Sequence, residues 1–334
     1  MAGIDIRKAP ATPDFVRFRE GFGQKFIVTI DTEEEFDWGA PLDRNVHGVV
    51  SVPALRTFQE FCEEFGVVPI FLLDYPVVDS PILGEALGRP VQEGRAEVGL
   101  HLHPWVNPPF TEEVNASNSF AGNLPADLEE AKLKQLYHAI AGKLGISPMI
   151  YRAGRYGVGP NSAELLTRTG FAIDTSVRSR FDYSESGGPN FRDHPLRPYW
   201  IGADRRLMEL PGKTVFWGML RQLGDWLYPR MWRMPSMRGV LSRVGLLERI
   251  PLTPEGISID EAIRGIDIAI DDGLPLLVFS FHSPSLAPGY TPYVRSEEDL
   301  EAFYNWWRAI FAYLAKRNIA PSSVKDIMES VELA

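Results

Sequence analysis

The chain has 334 residues, 45% of them hydrophobic and 23% charged, with a formal net charge of −10. That profile fits a globular protein of one large or two ordinary domains, and it argues against a nucleic-acid binder governed by phosphate contacts. No apolar run approaches the roughly 18 residues of a transmembrane helix, and the start, MAGIDIRKAPATPDF, lacks the apolar core of a secretory signal, so cytoplasm is the expected compartment.

Residues 1–24 read as a polar leader that wraps the surface. Lys25 to Ile30, KFIVTI, is a β-branched run of the buried-strand kind that empties into DTEEEFDWG. From Ser51 to Phe65, apolar residues recur at spacings of three and four, with Pro53 near the start and Gly66 past the end, which predicts a helix. Within it Cys62, the single cysteine, reads as a buried, inert thiol. Val67 to Leu73 is the next strand, Pro81 to Gln92 a second helix, and Glu97 to His103 a third strand. A loop at 104–125 leads to a long helix ending at Gly145. Met149 to Tyr151 runs into RAGRYGVG, followed by a short helix at 160–169 and strands at Phe171 to Val177 and Arg206 to Leu210. Ile259 to Ile270 is helical, Leu274 to Phe281 is the most apolar strand, and Glu297 to Lys316 is a closing helix. Such alternation predicts a parallel sheet covered by helices in one domain over 25–334.

An insertion at about 213–255 breaks the pattern. Its part 213–249 combines seven basic residues with two acidic ones and carries Phe216, Trp217, Trp226, Tyr228, Met231, Trp232, Met234 and Met237. A basic aromatic segment of this kind suits peripheral membrane contact, an anionic polymer, a lid, or packing on the barrel or across a homo-oligomer interface.

The chemistry-bearing residues stand at strand ends. In EVGLHLHPW, Glu97 to Trp105, His101 and His103 share one face of a strand. Asp31 and Glu33 follow the first strand, Arg152 the fourth, Asp174 sits in the next, and His282 ends the last long one. In a parallel α/β fold these fall at one rim, where such folds keep their chemistry. Two imidazoles with one or two carboxylates form a ligand set for a divalent metal with an open position, the equipment of a hydrolase. Of Asp31 and Glu33, one would bind metal and the other take a proton from water; Arg152 would orient the base and His282 protonate a leaving group. The glycines at 154, 157 and 159 do not meet the dinucleotide-loop spacing, and no G-x-S-x-G signals a serine hydrolase.

In order and context these residues resemble the NodB-like polysaccharide deacetylases. Thr29, Ile30 and Asp31 match the first three positions of the family's TFDDG-type motif, so Asp31 inherits the general-base role. The family's second aspartate falls on Thr32, which passes the ligand role to Glu33, with Glu34 as a further candidate. Glu97, Val98, Gly99 and His101 match the EIGxH motif. Trp105 occupies the place of the usual second histidine, for which His103 substitutes, leaving Trp105 to line the pocket for a sugar face. Arg152 to Gly157 resembles the Arg-x-Pro-x-Gly turn with Gly154 in place of proline, and Asp174 to Tyr183 resembles the motif that shapes the pocket wall. Leu277 to His282 matches the strand that ends in the general acid.

The resemblance implies a distorted (β/α) barrel of about seven parallel strands and a divalent metal, zinc, held by Glu33, His101 and His103. It implies catalytic roles for Asp31, His282, Arg152 and Asp174, and substrate contacts from Trp105, Tyr156, Asp182 and Tyr183, with Asp182 helping to hold His282. The implied substrate is an N-acetylated sugar, polysaccharide or glycan precursor. Two alternatives stay open: an amide hydrolase of the same fold acting on a small metabolite, and a decayed, glycan-binding protein, since Thr32 and Trp105 stand at ligand positions.

Overall fold

The β-branched run Lys25–Thr32 forms β1, the central strand of a computed structural model that describes residues 4–10, 14–231 and 234–332. Side chains alternate along it. Phe26, Val28 and Ile30 join the large core under the helices, whereas Ile27 joins a second cluster with Ile70, Leu72, Ile150, Ile173, Met208 and Val278, contributed by neighbouring strands. That second cluster is the barrel interior.

The further strands are β2 (Ile70–Leu73), β3 (Glu97–Leu102), β4 (Ile150–Ala153), β5 (Ile173–Asp174), β6 (Tyr199–Ile201), β7 (Leu207–Glu209), β8 (Thr214–Trp217), β9 (Glu248–Pro251), β10 (Leu276–His282) and β11 (Ala320–Pro321). In the order β10-β1-β2-β3-β4-β5-β7 the main sheet is parallel throughout, which gives the seven parallel strands expected. β6 adds antiparallel to β7, and β11 pairs with the start of β1.

β8 and β9 form a separate antiparallel pair that spans the gap between the ends of the curled sheet. On one side Gly212 N–H donates to Val177 O at 2.8 Å, and on the other Ser280 N–H donates to Leu252 O at 3.2 Å. The ends of the segment read as an insertion are thus built into the barrel wall. Its middle projects around a small core of Phe216, Met231 and Leu247; Trp232 lies outside the described residues, as do 1–3 and 11–13 of the leader.

The helices are α1 (Val52–Glu63), α2 (Tyr75–Asp79), α3 (Leu83–Gln92), α4 (Ala126–Leu144), α5 (Ser162–Thr169), α6 (Gly224–Arg230), α7 (Pro235–Arg243), α8 (Ile259–Asp271), α9 (Glu297–Lys316) and α10 (Val324–Ser330). α4 stops at Gly145, whose φ of 67° suits a residue without Cβ. Ser258 and Glu261 form a capping box at the start of α8. On α9, Phe303, Trp307 and Phe311 pack in an aromatic cluster with Phe58, Phe61 and Phe281, and Cys62 is buried in the same core. Among the described residues no helix is long and apolar enough to cross a membrane.

Three local features depart from the sequence reading. The strand expected at 171–177 shrinks to β5, because after one more parallel bond, Thr175 N–H to Tyr151 O at 2.8 Å, the chain turns to bridge Gly212. α2 was hidden by its length, yet Asp74 caps it through Val77 N–H at 2.9 Å. The leader does not merely wrap the surface: Val16 and Phe22 pack with Val324 and Ile327 in the interior cluster, and Val16 N–H donates to Pro198 O at 3.0 Å.

Candidate metal and hydrolase site

Register brings the polar residues to the carboxyl rim. Asp31 on β1 pairs with His282 on β10, and His101 on β3 pairs with Arg152 on β4. Because β1 runs straight through Thr32, Thr32 turns away from the interior and its Oγ1 donates to Ile30 O at 3.0 Å. The next acid on the inner face is Glu33, two residues from Asp31. Its Oε2 lies 3.3 Å from His101 Nε2 and 3.4 Å from His103 Nε2, and ligand atoms of the three residues fall within 4.8 Å of one another.

The donor chemistry fits a divalent cation. His101 Nδ1 lies 3.2 Å from Arg152 O, a carbonyl that only accepts, so Nδ1 carries the proton and Nε2 the lone pair. His103 Nδ1 lies 2.8 Å from Glu34 Oε2, which likewise leaves Nε2 free to ligate. Burial lowers both imidazoles, His103 to about 4, keeping them neutral as ligands must be. Burial also raises Glu33, and the nearby His282 and His101 only partly offset it.

Behind His103 stands a carboxyl pair. Glu34 N–H donates to Asp74 Oδ2 at 2.7 Å. Burial raises Glu34 to about 8, and burial with the Glu34 charge pushes Asp74 well above the carboxylate range, so the pair retains a proton. Glu34, Asp74 and His103 also converge closely enough to hold a cation, but their mutual hydrogen bonds suit them to orient His103. Gly154 makes room for the ring: a Cβ there would sit 2.2 Å from His103 Cδ2 and 2.7 Å from Leu102 O.

On the other side of Glu33 lie Asp31 and His282. Asp31 accepts a buried ion pair from Arg152, whose remaining N–H groups reach Thr29 Oγ1 at 2.9 Å and Thr175 O at 3.0 Å. Burial would raise the Asp31 carboxyl, but Arg152, His101 and His282 outweigh it and hold it below the usual carboxylate range. His282 Nε2 is 3.9 Å from Asp31 Oδ2, and its Nδ1 is 2.7 Å from Glu255 Oε2. Burial would lower this imidazole, but Glu255, Glu33 and Asp31 raise it to about 10, so it is cationic at neutral pH.

His282 opens onto a cleft of about 250 Å³ lined by Trp38, Arg152, Tyr156, Arg178, Thr214, Pro251, Glu255 and Tyr293, among others. Tyr156 reaches it from a turn in which Arg155 and Tyr156 both hold left-handed φ, 55° and 59°, a conformation costing about 1–3 kcal/mol per residue that surrounding structure must maintain. Trp38 packs edge-on to His282 at 5.0 Å and also borders a groove of about 640 Å³ between residues 35–50 and 289–292.

Several sequence-assigned residues fall elsewhere. Asp174 lies one strand beyond the set, fully buried, with Oδ1 accepting from Ser176 at 2.6 Å and its carboxyl against that of Glu209. Asp182 does not hold His282; it accepts from Ser184 and lies 3.3 Å from Arg192, and Glu255 holds the imidazole instead. Trp105 offers no face to a sugar. It is 2% exposed and stacked on His103 at 4.2 Å, while the half-exposed Trp38 stands at the cleft. Tyr183 backs Tyr156 at 5.6 Å and accepts from Arg178. Sequence reading missed Glu255, Asp74 and Trp38. Only Trp38 carried a signal, as the aromatic in the loop after Asp31.

No protein-family model matches the sequence, and a search of curated proteins gives no match. Solved structures do resemble it. A 4-α-glucanotransferase of Thermococcus litoralis is 14% identical over 93% of this chain and 42% of its own, with a TM-score of 0.50. The allantoinase Puue is 13% identical over 97% and 94%, with a TM-score of 0.48. A candidate polysaccharide deacetylase of Mycobacterium smegmatis is 19% identical over 83% and 80%, with a TM-score of 0.40. At these identities the likeness bears on fold alone, and by its own strand order the chain is a distorted (β/α) barrel with its candidate site at the carboxyl rim of the parallel strands.

Proposed function

We propose that the chain is a metal-dependent amide hydrolase that removes N-acetyl groups from a sugar, polysaccharide or glycan precursor. The observation that carries this reading is the convergence of Glu33, His101 and His103 beside two oppositely prepared proton carriers, Asp31 and His282. Two neutral imidazoles and a carboxylate with a position left open suit zinc. A cation bound there would supply Lewis acidity, lowering the pKa of water and polarising the acetyl carbonyl.

The protein's own groups do the proton work. Asp31, ionised and fixed by Arg152, accepts the proton of the attacking water. His282, protonated and held by Glu255, donates to the departing nitrogen, so amide and water become amine and acetate. Arg152 and Glu255 act through their partners as positioning residues. Trp38 and Tyr156 are the apolar platforms at which a sugar ring would rest. The three converging donors speak against a decayed site.

The test is metal analysis of protein purified without chelator, together with acetate release from N-acetylated sugars and glycan precursors. Stoichiometric divalent metal and chelator-sensitive acetate release are expected. Absence of both sinks the reading, and ammonia release or ring opening without acetate transfers it to a small cyclic amide.

A further inference from the structure

The projecting part of the 213–249 segment carries an apolar surface that the fold leaves bare. Met219, Leu223 and Trp226 are exposed around α6, and Met237 and Val240 are exposed along α7 with Val244 just past its end, Met219 being the most open at 84%. Positions 237, 240 and 244 share one helical stripe. Leu241 turns instead toward the small core of Phe216, Met231 and Leu247. α7 therefore has one apolar side packed and another facing water, an arrangement that marks an interaction surface.

Charge selects the partner. Between residues 219 and 244 the segment has five basic residues and one acidic, net +4, in a chain of net −10, whereas Lys213 is buried at its stem. Arg230 lies over the Trp226 ring at 4.1 Å with both side chains exposed, and Arg243 is exposed beside Val244. A two-fold contact between copies would set two such cationic segments against each other, whereas an anionic bilayer complements both the charge and the apolar stripe.

We propose that α6 and α7 dock this protein on an anionic lipid surface, with Trp226 and Val240 entering the head-group boundary and Arg230 and Arg243 meeting lipid phosphates. The β8–β9 stem from which these helices project contributes Thr214 and Pro251 to the cleft beside His282, so docking holds the cleft mouth near the head groups. If the hydrolase reading holds, the acetylated glycan is one carried on a lipid; the docking itself does not depend on that reading.

The experiment is co-sedimentation of the full chain with vesicles of phosphatidylcholine alone and with phosphatidylglycerol added. Binding is expected only with phosphatidylglycerol, weakening with salt and by about fivefold for each of Arg230→Gln and Arg243→Gln. The double variant Trp226→Glu/Val240→Glu should lose binding while keeping its circular dichroism and melting temperature. Equal binding to both vesicles, no binding, or a dimer dissolved by Val240→Glu without vesicle binding would each overturn the proposal. Acetate release from a soluble substrate, measured on the same variants, separates this outcome from failure of the hydrolase reading.

Discussion

Glu255→Gln tests the acid role proposed for His282. Among the groups that raise the imidazole to about 10, Glu255 acts most strongly, through a 2.7 Å contact. An adjacent opposite charge moves a pKa by about 1–3 units, or roughly 1.4–4 kcal/mol. A general acid works only while protonated, so activity falls as pH rises through its pKa. The basic limb of kcat/KM for acetate release should therefore move down by about 1–3 pH units in the variant, compared at equal metal loading. Stability must follow the same sign. The folded pKa lies above the unfolded value of about 6.5, so the contribution of the Glu255 contact is full below that value and lost as pH rises through about 10. Glu255→Gln should lower the urea midpoint at pH 6 by more than at pH 10. An unmoved basic limb, or a stability loss independent of pH, would refute the role given to Glu255.

His101→Ala should lose bound metal by elemental analysis, whereas Asp31→Asn should retain it and lose about 10²–10⁴-fold in kcat; full deacetylase activity in Asp31→Asn would sink the assignment of the base. Gly154→Ala should drive a methyl into the His103 ring, costing about 1–3 kcal/mol by thermal melting and weakening metal retention. Glu129, buried on α4 with Ser162 as partner, is raised by burial to about 7. Folding prefers its protonated form, so stability falls as pH rises from about 4.5 to 7. Glu129→Gln should therefore gain up to about 3 kcal/mol at pH 8 and much less at pH 5 in urea titrations.

Legibility in the sequence followed the range of the physics involved. Continuous apolar runs such as KFIVTI and LLVFSFH marked the strands, because each is buried on both faces. Residues at the ends of such parallel strands, Asp31, His101 and Arg152, could be assigned to one rim from position alone. Glu255 could not be, since it reaches His282 from a loop 27 residues upstream, after the chain has left β9. The barrel-closing role of β8 and β9 was hidden for a related reason. Their composition resembles the projecting helices between them, and only the bonds to Val177 and Ser280 reveal the wall they complete.

The differences at Thr32, Trp105 and Gly154 from the motifs the sequence resembles have one geometric origin. With β1 straight through position 32, the inner face returns at 33 and a glutamate sets its carboxylate beside the two imidazoles. With β3 ending in the His-x-His pair, the second imidazole arrives at 103, and position 105 is freed to stack behind it as tryptophan. The ring at 103 then occupies space that a side chain at 154 would fill, and glycine stands there. Replacing any one alone should be worse than leaving all three, so Gly154→Pro, which supplies the proline of the motif this turn resembles, ought to displace His103 and lower metal retention. Undiminished metal retention in that variant would separate Gly154 from the ligand set.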